Sequence, residues 1–366
     1  MGPRRARRWR SQVKSALAST ISRTHELGLA EALARGPERP LILGYHRVVD
    51  DYAGFARHEN PSMLTSTEMF ERHLDVVGQH FRFASLDEIG EHLATGAPFT
   101  ERVAGVTFDD GYRDNYEHAF PILRRKGIPA AVFVVTDLVG QAHWQIHDKL
   151  YDLINRAFIL WNDPRREMWD LLNDLGLPAA HLLRHRLAAT TPLTMVSALL
   201  PDLSQANVGR VMQALEAKVG ESFTDMPLPL TWAMVEEMNR AGIIIGSHTR
   251  SHVSLPAESM DTIVRELEGS KRVIEEHTGT PTVHFAYPGG QFTSRDVEAL
   301  ERVGYRFGYT ACPHQDPRHP TLTIERLLLW EGSSVDGDGQ FSPAILSCQI
   351  NDLWPPARTC ARVHHV

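Results

Sequence analysis

From residue 40 onward, short apolar runs alternate with stretches whose apolar residues recur every three or four positions. The runs at 41–45 (LILGY), 103–108 (VAGVTF) and 130–135 (AAVFVV) are bounded by turn residues and too short for helices, the mark of buried parallel strands. Further runs fall at 243–247, 283–286, 306–310 and 323–329. Between them the helical period predicts a helix at 67–80, with Met69, Phe70, Leu74 and Val77 on one face. A second opens at Ser85-Leu86-Asp87-Glu88, which has the Ser-x-x-Glu form of a capping box, and runs to about 95. Others are predicted at 115–126, stopped by Gly127 and Pro129, and at 231–240, 259–278 and 294–303. Strand–helix alternation argues parallel pairing and an α/β fold.

Residues 140–230 break that rhythm and read as helices at 148–160, 166–175, 179–189, 194–200 and 208–219. Leaving the end of the 130–135 strand, this insertion is expected to rise on the rim where that strand ends. A helical cap over a site on that rim is one reading; a remote appendage or oligomer contact is the other. His143-Trp144 and His147-Asp148 lie at its root, and Trp144 is a candidate to stack on a sugar ring or to pack the hinge.

Composition alters this picture little. At 366 residues, with 42% apolar and 23% charged, the chain suits one large α/β domain or two small ones. Three cysteines, Cys312, Cys348 and Cys360, have no metal spacing and cannot form a full disulfide framework, which points toward a reducing compartment. The charge is uneven. Residues 1–24 hold seven Lys/Arg and no acid, so a total of −7 leaves −14 on the remainder, a poor match for nucleic acid. Gln12, Lys14 and several hydroxyls interrupt the apolar run a secretory signal needs, and no stretch approaches the roughly 18 apolar residues of a membrane span. Val13, Leu17 and Ile21 recur every four residues, so the segment reads as a solvated terminus or as a basic amphipathic helix in peripheral contact with a membrane. The expected location is cytoplasmic, with the inner face of the membrane as the alternative; the oligomeric state is left open.

Two segments carry chemistry: Thr107-Phe108-Asp109-Asp110-Gly111 and His248-Thr249-Arg250-Ser251-His252. Alone, the first is an ordinary Asp/Gly turn and the second a pair of loop histidines. Each, however, follows an apolar strand, and in α/β folds functional groups gather at the carboxyl ends of strands. Together they supply two adjacent carboxylates and two imidazoles, the donors of a mononuclear zinc-type site with one carboxylate left over. Tyr45-His46 ends the first strand and belongs to the same rim.

The first segment resembles the first motif of the polysaccharide deacetylase (NodB-homology) family, carbohydrate esterase family 4, and the second resembles its second motif. Leu41 to Val48 is similar to the opening strand of one branch, and Phe285-Ala286-Tyr287-Pro288-Gly289-Gly290 to the third motif. The resemblance covers about residues 40–135 and 230–330. It implies a distorted, incomplete TIM-like barrel split between 40–139 and 231–330, flanked by a basic segment (1–39) and an extension (331–366). It further implies hydrolysis of an N-acetyl group on an amino sugar, in a polysaccharide, oligosaccharide or glycan precursor. One divalent metal, zinc first, with nickel, cobalt or manganese as alternatives, would be held by Asp110, His248 and His252. Asp109 would be the general base, and a backbone N–H at or near Tyr287, with Pro288 and Gly289, would meet the oxyanion.

Two departures stand out. The family's third-motif Arg, which steadies the catalytic Asp, is replaced by Ala286 or Tyr287, and no late Leu-x-x-His supplies a proton donor. His46 is the first candidate for that donor, with structural support of the site as its other role; His314 ranks below it. The missing groups keep two rivals in view: a deformylase or deacetylase of a lipid-linked or small-molecule amino sugar, and a carbohydrate-binding protein with a weakened site.

Overall fold

The computed structural model describes Thr20 and residues 39–177, 191–220 and 226–353. The expected amphipathic segment around Val13, Leu17 and Ile21, the helix at 179–189 and Cys360 lie outside the described residues.

The first strand, β1 (Leu41–Tyr45), is followed by β2 (Arg47–Val49) and β3 (Leu64–Ser66), which pair with each other in a small parallel sheet. The short β4 (Arg82–Phe83) leads to β5 (Val103–Phe108) and β6 (Ala130–Val134). After the insertion come β7 (Ile244–Ser247), β8 (His284–Ala286), β9 (Phe307–Thr310), β10 (Ile324–Glu325) and β11 (Leu327–Leu328). All pairings in the main sheet are parallel, in the order β10-β9-β8-β7-β6-β5-β1-β11, with β4 beside β5.

The two ends of that order are one piece of chain. Ile324 pairs with Tyr309 of β9, while Leu327 pairs with Leu43 of β1. The run 323–329, which reads as a single strand, is shared between two neighbours and brings the sheet round into a barrel. Arg326 sits at the changeover, its N–H donating to Thr310 O at 2.8 Å.

The period of two divides each strand between two cores. Leu41, Leu43 and Tyr45, with Val106, Phe108, Val132 and Val134, pack outward against helices such as Thr67–Gly78. Ile42, Ala131, Phe133, Tyr309 and Ile324 cluster on the other side with Leu86 and Ile89 of helix Leu86–Thr95. Serine caps start both helices: Ser66 Oγ accepts from Met69 N and Ser85 Oγ from Glu88 N. Only half of the expected capping box forms, because the Glu88 carboxylate turns to Arg82. The expected helix at 115–126 begins as a π turn (Asn115–Ala119) and becomes α-helical at Phe120–Lys126.

The insertion leaves the end of β6 and builds a core of its own. Helices Ile146–Leu160, Pro164–Asp174, Pro192–Leu199 and Gln205–Val219 bury Leu150, Leu153, Leu172, Met195, Leu199 and Leu215 together. After β11 the chain stays on the barrel: Leu346 and Ile350 of helix Pro343–Ile350 join its outer core. Among the described residues no helix is long and apolar enough to cross a membrane, and no disulfide joins Cys312 and Cys348.

Candidate active site

At the end of β5 the chain turns on two successive residues with positive φ, Asp110 (72°) and Gly111 (69°). Gly111 is favoured by its φ, and a Cβ there would press on the Val134 side chain of β6 at 3.2 Å. Asp tolerates this region through its short polar side chain, and such backbone strain collects at functional sites. His252 (59°) and Thr249 (68°) share it at the end of β7. Their loop is held from below by Glu266, whose carboxylate accepts from Arg250 N, Ser251 N and Ser251 Oγ at 2.8–3.0 Å.

The turns bring the expected side chains into one cavity of about 370 Å³, lined among others by His46, Asp109, Asp110, His248, His252 and Gly289. His248 Nδ1 donates to Ala286 O at 2.7 Å, which fixes its tautomer and presents Nε2 to Asp110 Oδ1, 3.6 Å away. His252 Nε2 stands 3.3 Å from the same oxygen. Asp110 is buried, and neither carboxylate oxygen has a hydrogen-bond partner. Burial, with the charges of Asp109 and Asp148, pushes its pKa well above the ordinary carboxylate range. An orphaned, buried carboxylate ringed by imidazole nitrogens fits a divalent cation.

Asp109 is treated differently. Arg326, 1% exposed, donates from Nη1 and Nη2 to its two oxygens, both at 2.7 Å, and from Nη1 to Thr107 Oγ1 at 3.2 Å. Burial raises the Asp109 pKa, but Arg326, with help from His248 and His46, outweighs it and holds the group at about 2. The arginine absent from the third motif is thus supplied from the closing strand, some 40 residues later. Its sequence signal is faint: one Arg between Glu325 and Leu327 in a mostly apolar run.

Burial lowers the pKa of His46 to about 4 and that of His248 to about 4, and holds His252 well below its usual range. The Tyr287 N–H donates to Tyr309 O at 3.0 Å within the sheet, and its hydroxyl donates to Leu322 O. Tyr287 therefore has no N–H to offer an oxyanion, and Pro288 has none by nature. Of those three residues only Gly289 lines the cavity, with Gly290 and Gln291 after it. Trp144 is half-buried and lines no part of the cavity.

The same segment instead sends in residues that carried no assigned role. Gln145 Nε2 donates to Asp110 O at 2.8 Å, and His147 Nε2 lies 3.5 Å from Asp110 Oδ2. Asp110, His147 and His252 each offer an atom within 4.8 Å of the others, a group able to hold an ion. Leu193, Val196, Leu200 and Pro201 of the insertion add apolar lining to the cavity, as do Met63, Leu328 and Trp330. His314 stands outside the cavity, its Nδ1 3.1 Å from Cys312 Sγ.

Comparison with known proteins agrees with this fold. The polysaccharide deacetylase family model matches residues 96–157 and 162–308. YxkH of Bacillus subtilis is 21% identical over 307 residues, covering 83% of this chain and 76% of that protein. A poly-beta-1,6-N-acetyl-D-glucosamine N-deacetylase of Staphylococcus aureus is 30% identical over 118 residues, 30% of this chain and 40% of that one. In fold the chain is similar to the deacetylase PplD of Streptococcus pyogenes (TM-score 0.52, 17% identity, covering 83% of this chain and 97% of that one). It is equally similar to IcaB from Ammonifex degensii (TM-score 0.51, 19% identity, covering 86% and 98%). With more than half of its length matched by the family model, the chain belongs to the polysaccharide deacetylase family.

Proposed function

We propose that the protein is a metal-dependent hydrolase that removes an N-acetyl group from an amino sugar. The observation that carries this reading is the contrast between two neighbouring carboxylates: Asp109 is spent on Arg326, whereas Asp110 has no hydrogen bond and faces His248 and His252. Asp110, His248 and His252 would hold the ion, zinc in the first instance. Such an ion, when bound, supplies Lewis acidity that lowers the pKa of a water and polarises the amide carbonyl.

The chain's own groups do the rest. Asp109, ionised and fixed by Arg326, accepts the proton of the attacking water. Backbone N–H groups of Gly289 and Gln291, which line the cavity, would meet the oxyanion in place of Tyr287; that of Gly290 is spent on Tyr287 O at 2.8 Å. His46, on the cavity wall, either delivers a proton to the leaving nitrogen or steadies Asp109.

Arg326 removes one of the two reasons for reading the protein as a carbohydrate binder with a weakened site. A second reading of the substrate is favoured by the cavity itself. At about 370 Å³, with Leu193, Val196 and Leu200 as one wall, it suits a short or lipid-carried amino sugar as well as the end of a poly-N-acetylglucosamine chain. Acetate and formate release from N-acetylated and N-formylated amino sugars, polymeric and short, measured with and without chelator, tests both points. Acetate release that stops with chelator is expected. Turnover indifferent to chelator, or no release from any amide, would overturn the reading.

A further inference from the structure

We propose that His147 is an additional donor to the ion, so that the barrel and the helical insertion hold it jointly. The inference rests on the metal-dependent reading above.

Distance decides between a hydrogen bond and a shared ligand. Three Nε2 atoms approach the Asp110 carboxylate: His252 at 3.3 Å, His147 at 3.5 Å and His248 at 3.6 Å. N–H···O bonds rarely exceed about 3.2 Å. Two donors each about 2.1 Å from one ion, at a tetrahedral angle, stand roughly 3.4 Å apart. His147 shares that spacing, although it faces Oδ2 whereas the other two face Oδ1. Its ring centroid is 4.7 Å from that of His252.

Ligation requires one proton to move. Tyr112 OH donates to Asp148 Oδ2 at 2.7 Å, so in its 2.8 Å contact with His147 the imidazole Nε2–H is the donor when no ion is bound. His147 Nδ1 has no partner, so it can take up the proton that an ion would displace from Nε2. The side chain is buried, and its helix, Ile146–Leu160, starts at the site, with the preceding Gln145 bonded to Asp110 O. Metal loading and docking of this helix are consequently linked: each stabilises the other.

The test uses the full chain, stripped with chelator and reloaded with zinc or cobalt(II). In the wild-type protein, zinc is expected to slow amide exchange in peptides from 146–160 as well as in the loops at 109–112 and 248–252. His147→Gln is expected to lower zinc affinity at least about tenfold and to change the visible spectrum of the cobalt protein, while His248→Ala loses stoichiometric metal. An unchanged affinity and cobalt spectrum in His147→Gln would overturn the proposal and leave the site of Asp110, His248 and His252 standing. So would protection confined to the barrel loops, a result that needs no variant. If His147→Gln keeps its zinc but loses the alkaline limb of the rate–pH profile, the residue handles a proton instead. A wild-type protein that takes up no metal would sink the functional reading itself.

Discussion

Asp109 is subject to two opposed demands. A base must be ionised and aimed, which the fork of Arg326 secures, yet the same fork holds its pKa at about 2 and so makes it a weak base. Asp109→Asn is expected to keep its metal and lose about 10²–10⁴-fold in rate; near-normal turnover would move the base elsewhere. Weakening the fork has a signed effect on pH. Arg326→Lys keeps the charge but loses the bidentate contact, so the Asp109 pKa rises, and the acid limb of the rate–pH profile moves to higher pH. An acid limb that stays in place would show that Arg326 does not set this ionisation. His46 separates by substrate. If it donates the proton, His46→Gln harms amides more than activated esters, whose leaving groups need none; if it supports the site, both suffer alike.

The elements were largely legible in the sequence, and the groups between them less so. Strands such as Val103–Phe108 and Ala130–Val134 are uniformly buried, so apolar runs found them. Asp109, Asp110, His248 and His252 were legible because strand and turn residues are contiguous in sequence. Arg326 was not, because its role comes from closure: the 323–329 run changes partner midway, and no local pattern records that. His147 lies in a helix whose periodicity reports its own core; which turn docks at Asp110 is tertiary information. The insertion's wall yields a prediction at this scale. Leu193→Asp places a charge on the partly buried wall of helix Pro192–Leu199 without touching the metal donors. If the insertion caps the substrate, KM is expected to rise severalfold while kcat and metal content hold, the pattern of lost uniform binding. Unchanged kinetics would make the insertion an appendage to the chemistry.

Across the whole molecule, burying neutral histidine ties stability to pH. His73, on helix Thr67–Gly78, is fully buried on the outer side of the barrel, with Nδ1 3.3 Å from Tyr45 OH and Nε2 2.6 Å from Ser334 Oγ. It thereby joins β1 to the chain that follows β11. Burial lowers its pKa from the ordinary 6.5 to about 3. With the folded pKa below the unfolded one, the two states bind the same number of protons at pH 8, where the group costs nothing. Below pH 6.5 the unfolded chain takes up a proton that the folded one refuses. Stability then falls by roughly 1.4 kcal/mol per pH unit until about pH 3. The cavity histidines pull in the same direction, so wild type alone cannot isolate the effect. His73→Gln can, since it removes one titrating group outside the cavity lining while keeping a polar side chain for Ser334. Urea unfolding of metal-free protein at pH 7 and 4.5 is expected to show wild type losing about 2–3 kcal/mol more than the variant between the two pH values. Equal losses would mean that His73 titrates normally in the folded protein, and that the contact between β1 and the chain beyond β11 opens to water.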